Sequence, residues 1–249
     1  MRRVFTLLLV LFATPSLADN VLVTDVSKDH ISIRTDFAGE SLLLFGAIDT
    51  SVYGPMDGIV VTLRGPGENV ILRKKQKQLG IWVNGVAYEM GPLPGFYAVV
   101  SSADLHALMP RERQEKLGIG AASLKANLLS GQASKAEKDA ALAAFIRLKE
   151  KADLFETRND RVEIISDKLF RAEINLPAGM PVGRYVTEFF AFKNGRLVGY
   201  QTGELPVDIV GAGHILHKAA YDMSLIYGFA GVLLAMFMGW GVAVLFRRQ

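Results

Sequence analysis

Cysteine is absent from this chain of 249 residues. That excludes disulfides, thiolate metal sites, covalent haem attachment, a cysteine nucleophile and a lipoprotein anchor. Histidine is scarce, with His30, His106, His214 and His217 as the full set. Only His214 and His217 could share a helix face, with Asp222 as a third ligand. A metal centre needs three or four ligands in fixed geometry, so we expect no metal and no cofactor. Acidic residues are missing from 1–18 and from 224–249, where Arg2, Arg3, Arg247 and Arg248 stand instead. Setting those four aside leaves 24 basic against 25 acidic residues over 19–223. The net charge of +3 and the pI of about 9.0 therefore come from the ends and give no footprint for nucleic acid. Gly118-Ile119-Gly120 lacks the lysine and the third glycine of a phosphate loop, and no G-x-S-x-G elbow is present. The paired carboxylates Asp25 and Asp29, or Glu112 and Glu115, are of a kind common on any solvated surface. We expect no enzyme.

Apolar residues are plentiful, at 50% of the chain with a mean hydropathy of +0.25. They concentrate first at the ends. Arg2 and Arg3 precede an apolar stretch from Val4 to Ala13, broken by Pro15, and Ser16-Leu17-Ala18 supplies small residues for cleavage before Asp19. Ten apolar residues make only about 15 Å of helix against about 30 Å of hydrocarbon, so 1–18 reads as a signal peptide. At the other end, 225–246 carries no charge, long enough for about 33 Å of helix. Being apolar all round, it reads as a membrane span rather than as a soluble helix with one polar face. Arg247-Arg248 follows at once, which places the C-terminus in the cytoplasm and 19–223 outside. Tyr227 and Trp240 fit interfacial anchors.

Between the ends, 19–104 alternates short β-branched and aromatic runs with turn residues. Strands are expected at Val21–Val26, His30–Thr35, Leu42–Ile48, Ile59–Leu63, Val70–Leu72, Ile81–Val83, Val86–Glu89 and Phe96–Ser101. Leu42–Ile48 reads as buried on both faces. Gly65-Pro66-Gly67 and Asn84-Gly85 read as turns joining neighbouring strands. The segment 105–158 changes character. Pro110 opens a helix that Gly118 ends, with Glu112 and Lys116 as an i,i+4 pair. Ser134 and Glu137 form a capping box for a helix of about 22 residues, its inner face lined by Ala141, Phe145, Leu148, Ala152 and Phe155. Strands resume at Val162–Ile165 and Leu169–Leu176. Asn194-Gly195 joins Tyr185–Lys193 to Leu197–Leu205, and Val207–Val210 follows. The expected architecture is an immunoglobulin-like β-sandwich built from 19–104 and 159–213, with 105–158 as a helical insertion. A juxtamembrane segment (214–224), the transmembrane helix (225–246) and a cytoplasmic tail (247–249) complete the chain.

Two features suggest contacts. Gly231, Ala235, Gly239 and Ala243 recur every four residues, a smooth face on which another membrane helix can approach closely. Arg73, Lys74, Lys75 and Lys77 form a basic run that can meet anionic headgroups or an acidic partner, or simply solvate the end of a hairpin.

Gly80-Ile81-Trp82-Val83-Asn84, Pro94-Gly95-Phe96-Tyr97-Ala98-Val99, Tyr227-Gly228, Gly239-Trp240 and Phe246-Arg247-Arg248 together resemble a family of alphaproteobacterial transmembrane proteins of unknown function. The resemblance covers about 19–104 and 160–249. Such proteins are often encoded beside permeases of the sulfite-exporter type, which implies a transport accessory. The expected function is thus a periplasmic interaction module held on the bacterial inner membrane. Its partners are the lipid bilayer and another membrane helix, from a second copy or a permease. The alternative is a periplasmic domain that binds or senses a small ligand without catalysis.

Overall fold

The computed structural model describes residues 21–130, 133–210, 221 and 224–246. The expected signal peptide, the group His214, His217 and Asp222, and the tail 247–249 lie outside the described residues.

The described chain is mainly β. Strands β1 (Leu22–Val26), β3 (Gly39–Ile48), β10 (Val162–Ile165) and β11 (Leu169–Pro177) form an antiparallel sheet in the order β1-β3-β11-β10. A second sheet takes β2 (Ile31–Ile33), β4 (Gly58–Arg64), β7 (Tyr97–Ser101), β9 (Phe155–Arg158), β12 (Gly183–Lys193) and β13 (Arg196–Ile209). Its order is β2-β13-β12-β4-β7-β9, antiparallel except for the outer pairs β2–β13 and β7–β9. A third sheet, β5 (Gly67–Gln78), β6 (Ile81–Pro94) and β8 (Asn127–Ser130), is mostly a two-stranded arm, because β8 meets β6 only near Glu89–Gly91.

Alternation along each strand sets the layers. In β4, Ile59, Val61 and Leu63 point into a core shared with Leu42, Leu44, Phe170, Ile174 and Leu176 of the first sheet. Val60 points the other way, into a second core with Tyr97, Val99, Phe190 and Phe192. The middle of the six-stranded sheet is therefore buried on both faces. Each of these large apolar side chains contributes about 1.5–3 kcal/mol on burial. The second core is closed by α1 (Leu105–Leu108), α2 (Arg111–Leu117), a 3₁₀ turn at Ala121–Ser123, α3 (Lys135–Lys151) and the base of the arm. Those helices make the crossover that a parallel β7–β9 pair requires, which gives the insertion its physical reason.

Local signals hold at several points. Ser134 accepts from the Glu137 N–H while Glu137 accepts from the Ser134 N–H, so the capping box forms. Gly118 ends α2 in the left-handed region at φ 68°. Asn194 and Gly195, both with positive φ, turn β12 into β13.

Other expectations are corrected. Leu42–Ile48 is buried on one face only, and Leu43 and Phe45 face outward; β4 and β7 are covered on both sides. Gly65-Pro66-Gly67 does not close a hairpin, since β4 and β5 belong to different sheets. Asn84-Gly85 lies within β6, and the arm turns instead at Leu79-Gly80, both with positive φ. The registers Arg73↔Ala87 and Lys75↔Asn84 place a bulge at Gly85, where a Cβ would meet the Gln76 side chain at 2.7 Å and the Lys74 carbonyl at 2.8 Å. Helix α3 stops at Lys151 because Asp153 takes φ 56°, and Phe155 opens β9 instead of closing the helix. Leu148 is exposed, while Leu142 and Ile146 help to cover the core beside Phe145. The i,i+4 ion pair on α2 joins Arg111 to Glu115, not Glu112 to Lys116.

Helix α4 (Ser224–Phe246) has 23 residues and no charged side chain. Its side chains are described without a break only over 227–242. Among the described residues no helix is long and apolar enough to cross a membrane.

Candidate functional site

The basic run lies on the outer half of the arm. Arg73 and Lys74 border a groove of about 460 Å³ between the arm and α3. Its lining is mostly apolar and includes Ile71 and Leu72 of β5 and the small side chains Ala140, Ala141 and Ala144 of α3. Ala140 and Ala141, with Ala144 one turn further on, keep the α3 surface low, which is why a groove exists there. Arg147 adds a third cation to the rim. Glu137 is the opposing carboxylate, and the Tyr88 hydroxyl donates to it at 3.2 Å. The Ser134 N–H and hydroxyl both donate to Glu137, and together with Tyr88 and Lys74 they hold its pKa below the usual carboxylate value. Burial, and then the Glu137 charge, push Tyr88 upward. Such a groove suits an apolar molecule with an anionic end. Lys75 and Lys77 lie farther out, towards the turn.

The tip itself is apolar. Leu79, Ile81 and Trp82 are exposed there, Trp82 at 66%. Trp82 stands opposite Lys77 in the register, and Ile81 stands opposite Gln78. Sequence reading marked the cations and missed this apolar end, because Asn84-Gly85 drew the turn away from Leu79-Gly80.

A second surface crosses the outer face of the four-stranded sheet. Val23, Ala47, Leu169 and Ile165 form one cross-strand row, one residue from each strand. Val23, Leu169, Ile165 and the neighbouring Phe45 are exposed around a hollow of about 470 Å³. The only sequence signal for this row was the apolar run of β3, whose outward half was misassigned to the interior.

Behind β4 and β7 sits a polar cluster that the sequence gave no means of assembling. The Tyr97 hydroxyl donates to Gly118 O at 2.8 Å and accepts from the Gly120 N–H at 3.0 Å. The Arg64 guanidinium lies 5.2 Å from the centre of the Tyr97 ring and 3.7 Å from Glu188, which also accepts from Thr62 and Tyr200. Every polar side chain here has a partner, so the cluster fastens the α2 terminus to the sheet.

In α4, Gly231 and Gly239 face open space, where a Cβ would meet nothing within 4 Å. Ala235 is exposed with them, and the side chain of Ala243 lies outside those described. Among the described residues no own-chain contact accounts for Gly231 and Gly239. Among the described residues no three of His, Asp and Glu converge as metal ligands would.

A family model described as "Putative transmembrane protein" matches residues 21–248. No curated protein matches the chain.

Proposed function

Since the chain belongs to that transmembrane family, we propose that it is a non-catalytic interaction module, an immunoglobulin-like sandwich held outside the bacterial inner membrane by α4. The observation that carries this reading is the surface of α4. Leu225, Phe229, Leu234, Phe237 and Trp240 are all exposed on a helix without one charge. An apolar helix of this kind needs lipid or other helices around it. Its 23 residues make about 35 Å of helix. The missing side chains at Gly231, Ala235 and Gly239 favour a partner helix, and the row Val23, Leu169 and Ile165 offers that partner's exported surface an apolar contact. A multi-span permease of the sulfite-exporter type is the partner this reading names.

Crosslinking of the full chain in native membranes tests the reading. Wild type is expected to give a defined complex. Gly231→Leu with Gly239→Leu should weaken it by about 1–2 kcal/mol while insertion persists. A complex indifferent to this double change and to Leu169→Lys would contradict the proposal. The groove between the arm and α3 supports the second reading, a carrier or sensor for a small amphipathic anion. A ligand that stabilises the chain and is lost on Arg147→Ala would favour it.

A further inference from the structure

We propose that the tip of the β5–β6 arm docks on an anionic bilayer surface, with Leu79, Ile81 and Trp82 entering the headgroup region and Lys75 and Lys77 meeting lipid phosphates. This deepens the membrane-anchored reading and rests on it for the nearness of a bilayer.

The arm beyond Tyr88 is a two-stranded ribbon, a form of marginal stability in water. It nevertheless ends in three exposed apolar side chains, with Leu79 fully exposed at the turn. From 69 to 88 there are four cations and no acidic residue. The order along the arm identifies the partner. At about 3.4 Å per residue, Lys77 stands about 7 Å behind Leu79 and Lys75 about 14 Å behind. An apolar element lying in a membrane interface sinks about 5–10 Å. A tip inserted to that depth leaves Lys77 at the level of the phosphates and Lys75 about 4–9 Å outside, from where its long side chain reaches back to them. Trp82, beside Lys77 on the same face of the ribbon, suits the boundary between the two layers. An acidic protein surface would call for charge outermost, whereas here the apolar residues lead and the cations follow. Arg73, about 20 Å back, borders the groove instead of the bilayer.

The chain has two tryptophans, Trp82 and Trp240, so each surface carries its own reporter. The full chain bearing Trp240→Phe is reconstituted in vesicles of phosphatidylglycerol and phosphatidylcholine with brominated acyl chains. Trp82 emission should shift to the blue and be quenched. Lys75→Gln with Lys77→Gln should reduce docking about fivefold for each lysine. Pure phosphatidylcholine should give the same loss, and Arg73→Gln should change little. The converse variant, Trp82→Phe, reports on α4 through Trp240. Quenched Trp240 with unquenched Trp82 overturns the docking proposal and leaves the anchor standing. Quenched Trp82 with unquenched Trp240 upholds docking and removes the anchor. A blue shift at Trp82 without lipid quenching means that protein covers the tip, and it too overturns the proposal.

Discussion

The Tyr97 hydroxyl bridges Gly118 O and the Gly120 N–H, so one side chain of β7 closes the loop that follows α2. Burial pushes its pKa up to about 12, against the pull of the Arg64 charge above the ring. In the unfolded chain a tyrosine titrates near 10. The folded state therefore keeps a proton that the unfolded state releases between pH 10 and 12. The associated stability is intact below pH 10 and is lost as pH rises to 12, by about 2–3 kcal/mol. Tyr185, buried and donating to Pro181 O, shifts in the same direction. Tyr97→Phe should cost about 1–3 kcal/mol at neutral pH through the groups it leaves unpaired. Its stability should also fall less steeply above pH 10 than that of wild type. Urea titrations across this range check both, and an unchanged alkaline slope would show that Tyr97 is not the group responsible.

At the scale of elements, α3 and the arm are held together by Lys149. Its ammonium lies 2.5 Å from Glu68 and 3.1 Å from the Gly95 carbonyl, with the side chain 16% exposed. It also sits 5.4 Å from the centre of the Phe145 ring. Lys149→Ala should loosen the base of the arm, by about 1–2 kcal/mol for a charge-assisted contact of this kind. Amide exchange should accelerate in β5 and β6 while β4 and β12 stay protected; uniform acceleration would mean that the arm is no separate unit. These elements also show what a sequence can disclose. The Ser134–Glu137 box, the Gly118 stop and the Asn194-Gly195 turn were legible because each is decided by neighbours within four residues. Asn84-Gly85 has the same local chemistry as Asn194-Gly195, yet the bulge opposite Lys74 absorbs it. Short polar strands such as β8 and β9 carry no alternation of their own and exist through partners far along the chain. Nothing local marks Lys149 as a fastening residue, because its partner Glu68 lies 81 positions away.

At the scale of the whole molecule, both halves of the chain contribute to each main sheet. β3 pairs with β11 and β4 pairs with β12, so the sandwich closes only when 21–101 meets 162–209. That the chain is mainly β was legible from strand spacing, and the two-sided burial of the six-stranded sheet was not, since it depends on where the crossover helices land. The candidate surfaces divide along the same line. The charges of the arm and the small residues of α4 could be read from the sequence. The apolar row Val23, Ala47, Leu169 and Ile165 could not, because it takes one residue from each of four strands.

The central claim, an exported sandwich anchored by α4, has a direct test that the absence of cysteine makes clean. Single cysteines are introduced by Asp29→Cys, at a fully exposed side chain of the sandwich, and by Gln249→Cys. Both variants are treated in intact spheroplasts with a thiol reagent that cannot cross membranes. The account predicts labelling of the Asp29→Cys chain at once and of the Gln249→Cys chain only after the membrane is opened. Labelling of Gln249→Cys in sealed spheroplasts, or protection of Asp29→Cys until lysis, would contradict it.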